Sequence, residues 1–384
     1  MGTKLREAGL HRHLSIHLII PIAIGLSVGV SAITFLRFLA TPLGLDSLGR
    51  NWGYFVSYAD YGFVRRGLIG SVVDVLFGPM ANHRLPQLVL YPAFLIAVLI
   101  IALVFVRRLR LETPQHQLYA AMLLLSPAFL AHYAYSTGDF NVVLAAIFMV
   151  SMILLKRFWA VVALMIVGML VHEIFLLAFV PALCVAIFVE DSMSLKRATA
   201  YGALSAVILM FVITFGIPDL THDQYLRILK EAAPPLPVDG YFEITNGVRG
   251  NAAYTWKLYH HPALWVGIIP ALIYWAFVAV SFFPRKAPSL LQLGYMSAAV
   301  APLLMFALGS DLYRWASLAA VATLVLGGHL AARQYQSLFS ERPWLVAALT
   351  LPWFVLGPFG SACDPDRGGC VRAFPMSQFI LERL

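Results

Sequence analysis

The feature that most limits what this chain can fold into is a recurrence. Apolar runs of about 17–25 residues, the length a helix needs to cross a hydrocarbon layer, return from one end of the sequence to the other. They fall near 15–38, 88–106, 118–135, 140–155, 198–216, 262–283, 289–308, 312–331 and 343–359. Backbone groups in hydrocarbon must be satisfied within the protein, so such runs read as helices. The expectation is an all-α, polytopic transmembrane bundle, a single integral membrane domain over residues 1–384. Composition agrees: 60% of residues are hydrophobic and 12% charged, with a mean hydropathy of +0.80. A soluble domain carries about 25% charged residues.

The formal net charge of +8 is not a nucleic-acid signal, because the lysines and arginines sit in short clusters at the ends of apolar runs. No nucleic-acid partner is expected. The first run, about Ser15 to Ala40, is too long for a signal-peptide core and lacks a small-x-small cleavage site, so it reads as a retained anchor. No lipidation box is evident.

Residues 158–190 are too many for one crossing and read as a hairpin of two short helices turning near His172-Glu173. An ionisable pair is costly at mid-bilayer and belongs at an interface or in a protein-lined cavity. With that hairpin the total is about eleven spans. Lys4, Arg6 and Arg12, then Arg107, Arg108 and Arg110, Lys156 and Arg157, Lys196 and Arg197, Arg285 and Lys286, and Arg333 and Arg342 then share one side. That side is cytoplasmic by the positive-inside rule, in a bacterial inner membrane, with the N-terminus inside and the C-terminus outside. A single crossing at 158–190 would send the last three clusters outward.

The outer face then receives loop 41–86, the turn 136–139, the His172-Glu173 turn, segment 217–261, the turn 309–311 and the tail 360–384. The tail carries Cys363 and Cys370, close enough in sequence for a disulfide in an oxidising compartment. Cys184, inside an apolar run, reads as a small buried residue. Within loop 41–86, Leu68 to Met80 is apolar but too short to cross, and reads as an interfacial helix ended by Gly78-Pro79. Segment 217–261 suggests a short helix at about 221–232, a break at Pro234-Pro235-x-Pro237, then an aromatic run with Tyr241, Phe242, Tyr254, Trp256 and Tyr259. Tyr254 or Trp256 would stack on a sugar ring if this segment is a flap, or sit in an interfacial belt if it is not. No Walker motif, dinucleotide fingerprint, HExxH or CxxC pair is present.

Charges are scarce, which makes the loop from Trp52 to Gly70 conspicuous: Tyr58, Asp60, Arg65 and Arg66 lie between apolar spans, on the face where orientation does not call for arginines. Asp60 can accept a proton from a hydroxyl, and the guanidinium groups of Arg65 and Arg66 can hold a phosphate by bidentate bonds. Alternatively the arginines reach lipid headgroups and Asp60 is their counter-ion. Asp311 and Arg314 open a helix whose positive end disfavours the arginine, so either Asp311 or a ligand phosphate offsets it. Asp139 is either an N-cap or a ligand contact. His172-Glu173 reads as a polar site or an internal ion pair; adjacent residues do not share a helical face, which argues against metal ligation. His260-His261 reads as solvated, and Asp364-Pro365-Asp366 as a turn. No cofactor or resident metal is called for, although a divalent metal stays open.

A basic N-terminus, an acid-bearing outer loop with interfacial helices after the first span, many further spans and scattered outer-face arginines resemble the GT-C superfamily of integral membrane glycosyltransferases. They also resemble the related polymerases and ligases of bacterial surface polysaccharides. The likeness is architectural along the whole chain and rests on motifs at Asp60 to Gly70, His172-Glu173 and Asp311 to Trp315. It implies transfer of a sugar from a polyprenyl-phosphate donor to a hydroxyl of a glycan, lipid or protein at the outer face, in cell-envelope polysaccharide biosynthesis. Asp60 would be the base, and Arg65, Arg66 and Arg314 would receive the leaving phosphate. Asp46 lies nearer the first span than Asp60, and the loop has no Asp-Glu or Asp-x-Asp pair, so either acid fits that role. The competing expectation is a transporter or flippase of a lipid-linked sugar or another anionic amphiphile, using the same arginines.

Overall fold

The computed structural model describes residues 17–40, 57–61, 63, 66–78, 84–137, 140–192, 194–216, 256, 259–260, 262–307, 309 and 311–360. Its elements are helical, with no strand among the described residues. They run α1 (Ile19–Ala40), α2 (Tyr58–Tyr61), α3 (Gly67–Phe77), α4 (Arg84–Arg108), α5 (Thr113–Leu124), α6 (Leu130–Tyr135), α7 (Asn141–Ile153) and α8 (Phe158–Val171). There follow α9 (Phe175–Ala178), α10 (Val180–Glu190), α11 (Leu195–Phe215), α12 (Pro262–Phe282), α13 (Ser289–Val300), α14 (Leu312–Ala332), α15 (Leu338–Glu341) and α16 (Pro343–Thr350). Among the described residues, five helices are long and apolar enough to cross a membrane: Ile19–Ala40, Leu88–Arg108, Leu195–Phe215, Ser289–Ala307 and Leu312–Ala332. Several shorter apolar helices pack among them. The molecule is an integral membrane protein of helical class.

The hydrophobic effect does not distinguish helix from lipid, so a helix at the edge of the bundle can pack through small and hydroxylated residues while its largest apolar ones face outward. In α1 the buried stripe is Ala23, Ser27, Ser31 and Thr34, while Ile22, Leu26, Ile33 and Leu36 face outward. Ser27 Oγ donates to the Leu124 carbonyl at 2.7 Å, tying α1 to the end of α5. The centre of the bundle is α14, buried along almost its whole length. Two glycines let it be central. A Cβ on Gly327 would stand 2.4 Å from Phe282, and one on Gly328 would stand 2.3 Å from the Tyr119 ring.

Three apolar runs that read as single spans are interrupted, each by a proline. The run 118–135 stops at Leu124 and resumes at Leu130, because Pro127 cannot donate and its ring clashes with the preceding turn. The freed groups find partners: Phe359 N–H donates to the Pro127 carbonyl at 3.0 Å, and Ser317 Oγ to the Ala128 carbonyl at 2.5 Å. Past Val300 the chain tightens into a 3₁₀ turn, Ala301–Ala307, around Pro302. After Thr350 it does so again over Leu351–Leu356, around Pro352.

Residues 158–190 fold as a hairpin, with the reversal at His172. Lys156 Nζ, before α8, and Glu190 Oε1, at the end of α10, are 3.9 Å apart, so the two legs start and finish at the same end of the bundle. Arg333 also pairs with Glu190, Arg285 Nη1 lies 3.7 Å from Glu341, and Arg108 reaches the Ile153 carbonyl. The basic clusters at 108, 156–157, 285 and 333 therefore gather at one end. At 1.5 Å per residue, the 14 residues of α8 extend about 21 Å, short of the ~30 Å of a bilayer core. The opposite end receives α2, α3, the reversal at His172 and the start of α14.

Candidate functional site

Arg66 precedes α3 in the left-handed conformation, φ 66° and ψ 8°, which costs a non-glycine residue of order 1 kcal/mol. What holds it is a side-on ion pair with the hairpin turn. Arg66 Nη2 donates to Glu173 Oε1 at 2.7 Å and Nε to Oε2 at 3.1 Å, across 107 positions of sequence. The side chains are only 12% and 20% exposed. Sequence alone offered Arg66 either Asp60 or a ligand phosphate; the structure adds Glu173, and the Asp60 side chain lies outside the described residues.

His172 ends α8 with extended backbone, φ −165° and ψ 127°. The reversal is tight because Gly168 leaves room for Phe175, whose ring would lie 2.7 Å from a Cβ there. His172 Nδ1 is 3.1 Å from Glu173 Oε2 and 3.2 Å from the Ile174 amide nitrogen. The Ile174 N–H donates to Nδ1, the same nitrogen that faces the Glu173 carboxylate. Burial, then the Arg66 charge, push the imidazole down to about 3 against the pull of Glu173. For Glu173, burial opposes ionisation, but Arg66 and His172 outweigh it and hold the carboxyl well below its usual range. The trio is a cation, an anion and a neutral imidazole.

Arg314 stands in the first turn of α14 and is 5% exposed. Its Nη1 lies 3.4 Å from Asp311 Oδ2, and its guanidinium carbon is 4.9 Å from the centre of the Trp315 ring. Asp311 occupies the N-cap position but makes no side-chain cap bond; its carboxylate turns to Arg314 and is the first of the two partners that the arginine's sequence position offered. Arg314 is close enough for its charge to act on His172 as well as on His132. Three segments far apart in sequence, at 66, 172–173 and 311–314, thus meet at one end of the bundle. Among the described residues no group of three His, Cys, Asp or Glu side chains is placed to hold a metal ion.

Tyr58 opens α2; its amide donates to Ser71 Oγ at 2.9 Å, and its ring stacks on Phe63, which touches Phe211 of α11. Burial raises the phenol's pKa. Asp60 lies in α2, but its carboxylate is outside the described residues, as are Asp46, Arg65, Asp139, Tyr254, Cys363 and Cys370 and the proposed helix at 221–232. Trp256 is 59% exposed and meets Tyr259 edge-on. Tyr259 in turn donates to the Phe306 carbonyl. His260 Nδ1 is 2.9 Å from the Trp256 carbonyl, a local turn contact.

Sequence reasoning passed over His132. It lies in the resumed helix α6, with Nδ1 3.2 Å from the Phe359 carbonyl and a buried Nε2 that has no partner among the described residues. Tyr58 Oη, Thr137 Oγ1 and Asn141 Oδ1 are buried and unpartnered in the same sense. The signal for His132 was a lone polar residue in an apolar run, which has no partner in its own neighbourhood of sequence. No family model, curated protein or solved structure matches the chain.

Proposed function

We propose that this chain is a GT-C-like membrane glycosyltransferase that moves a sugar from a polyprenyl-phosphate donor to an acceptor hydroxyl at the outer face of a bacterial inner membrane. The observation that carries the reading is the convergence of Arg66, His172-Glu173 and Arg314 at the end of the bundle away from the basic clusters. In the reaction the acceptor oxygen attacks the anomeric carbon, its proton passes to Asp60, and the bond from that carbon to the phosphate oxygen breaks. The electron pair leaves on the polyprenyl phosphate. Arg314, with Arg65 and with whatever fraction of Arg66 the phosphate draws from Glu173, balances that charge. A phosphate leaving group needs no separate general acid. This reading carries with it about eleven spans, the two short hairpin legs counted among them although neither is long enough to cross by itself, with the N-terminus in the cytoplasm and the C-terminus outside.

Purified protein in liposomes, offered a panel of polyprenyl-phosphate sugars and acceptors, should turn over at least one donor and lose that turnover on Asp60→Asn. Absence of turnover with every donor, together with an Asp60→Asn strain whose surface glycans are unchanged, sinks the proposal.

One observation favours a transporter or flippase instead: the legs of the 158–190 hairpin are too short to cross, and interrupted helices at depth are a transporter feature. Vectorial movement of a lipid-linked sugar in sealed vesicles, without chemical change in the lipid, would select that reading.

A further inference from the structure

At the end of the bundle opposite His172, a cavity of about 660 Å³ lies between the start of α8 and the start of α11. Lys156, Arg157, Phe158, Trp159, Lys196 and Arg197 are among the residues that line it. Two cations from the α7–α8 link thus face two from the first turn of α11, although 40 positions separate Lys156 from Lys196. Orientation signals need only be on the correct side of the membrane; they need not converge on one cavity.

The acids nearby do not neutralise this group. Arg197 Nη1 is 3.4 Å from Asp191, and Lys156 is 3.9 Å from a Glu190 that already pairs with Arg333. Among the described residues no carboxylate is within ion-pair distance of Arg157 or Lys196. Two helix N-termini add to the positive potential, since neither Arg157 nor Ser194 caps its helix with a side chain. The apolar half of a ligand has a surface as well: Trp159 at the rim is 76% exposed, and Ile166 of α8 and Val207 of α11 are exposed further along the same two helices.

We infer that this cavity is a binding site for the headgroup of an anionic diacyl phospholipid, with the phosphate between Arg157 and Lys196 and the acyl chains along α8 and α11. Tryptophan at the headgroup level and basic pockets between membrane helices suit that chemistry. The site lies apart from the proposed transferase centre and does not depend on it.

The test uses the full-length protein in a neutral detergent, titrated in turn with phosphatidylglycerol, phosphatidylcholine and sodium phosphate at matched ionic strength. Thermal unfolding and native mass spectrometry of retained lipid are the readouts. Phosphatidylglycerol should raise the unfolding midpoint and stay bound in the mass spectrum, and the other two should do neither. Arg157→Gln/Lys196→Gln should weaken the phosphatidylglycerol effect about tenfold or more. Arg342→Gln, a basic residue at the same end that does not line the cavity, should leave it unchanged. If the double variant fails to fold, Trp159→Ala and the charge-keeping Arg157→Lys/Lys196→Arg carry the test: the first should weaken retention and the second keep it. An equal shift with phosphatidylcholine overturns the inference, as does a shift reproduced by phosphate alone. Loss in Arg342→Gln as large as in the double variant would mean diffuse attraction, and also overturns it.

Discussion

Two arginine–glutamate pairs stand at opposite ends of this bundle. Arg333 meets Glu190 at the basic end, where the arginine is 45% exposed, the glutamate only 10%, and Lys156 approaches the same carboxylate. Arg66 meets Glu173 at the other end, where both side chains are mostly shielded and the contact is side-on with two hydrogen bonds. The first pair is the more replaceable, since water reaches Arg333 and Lys156 can take over at Glu190. Removing either member of the second takes a two-bond contact from a shielded charge, and that costs more than losing a single contact to a half-exposed arginine. The same chemistry therefore serves as trim at one end and as a structural commitment at the other.

The largest effect should come from breaking the shielded pair on one side. Glu173→Ala leaves Arg66 charged, in a strained backbone conformation and without the two bonds to this carboxylate, and should lower stability by about 3 kcal/mol. Thermal or denaturant unfolding in detergent checks this, and a double-mutant cycle with Arg66→Ala should show strong coupling.

Acid should expose the same asymmetry. His172 is held neutral, pushed from 6.5 to about 3, so below about pH 6.5 the unfolded chain takes up a proton that the folded one refuses. Glu173 is depressed, so its contribution is present above the ordinary carboxyl value of 4.5 and is lost as pH falls through its folded pKa. Both signs agree. The unfolding midpoint should decline below about pH 6.5 and more steeply below about 4.5, and His172→Gln should remove the upper part of the decline. A midpoint that stays flat down to pH 4 would contradict the assigned burial.

Smaller effects belong to the basic end. Glu190→Gln, which deprives two cations of one acceptor, should cost about 1 kcal/mol. Arg333→Gln should cost less than about 1 kcal/mol, because Glu190 keeps Lys156. A loss at Arg333 equal to that at Glu173 would erase the contrast between the ends.

What sequence could reveal about this architecture follows the range of the physics. Apolar length and basic clusters are local quantities, and the structure gathers the described clusters at 108, 156–157, 285 and 333 at one end. The His172 turn was legible too, because an ionisable pair inside an apolar run is expensive wherever it lies. The break at Pro127 was not. It hides inside an unbroken hydropathy signal, and it is tolerated only because Phe359, 232 positions away, supplies the missing donor. Arg66 and Glu173 were both singled out, yet nothing within a few residues of either names the other. Pairings across 107 positions depend on how the helices stack, which local periodicity does not report. Asp311 shows a smaller version of this: its spacing suits a cap, but a charged partner three residues on offers more than a backbone amide does.

The account rests on the claim that the Arg66–Glu173 pair does more than hold α3 against the hairpin. The most direct test is the neutral double variant Arg66→Gln/Glu173→Gln, assayed for unfolding and for sugar transfer from a polyprenyl-phosphate donor. Removing both charges leaves neither member of this pair as a lone buried ion, so the unfolding midpoint should return close to that of the natural chain while turnover falls about a hundredfold or more. A variant that recovers both its stability and its turnover would show the pair to be structural alone, and would contradict the claim.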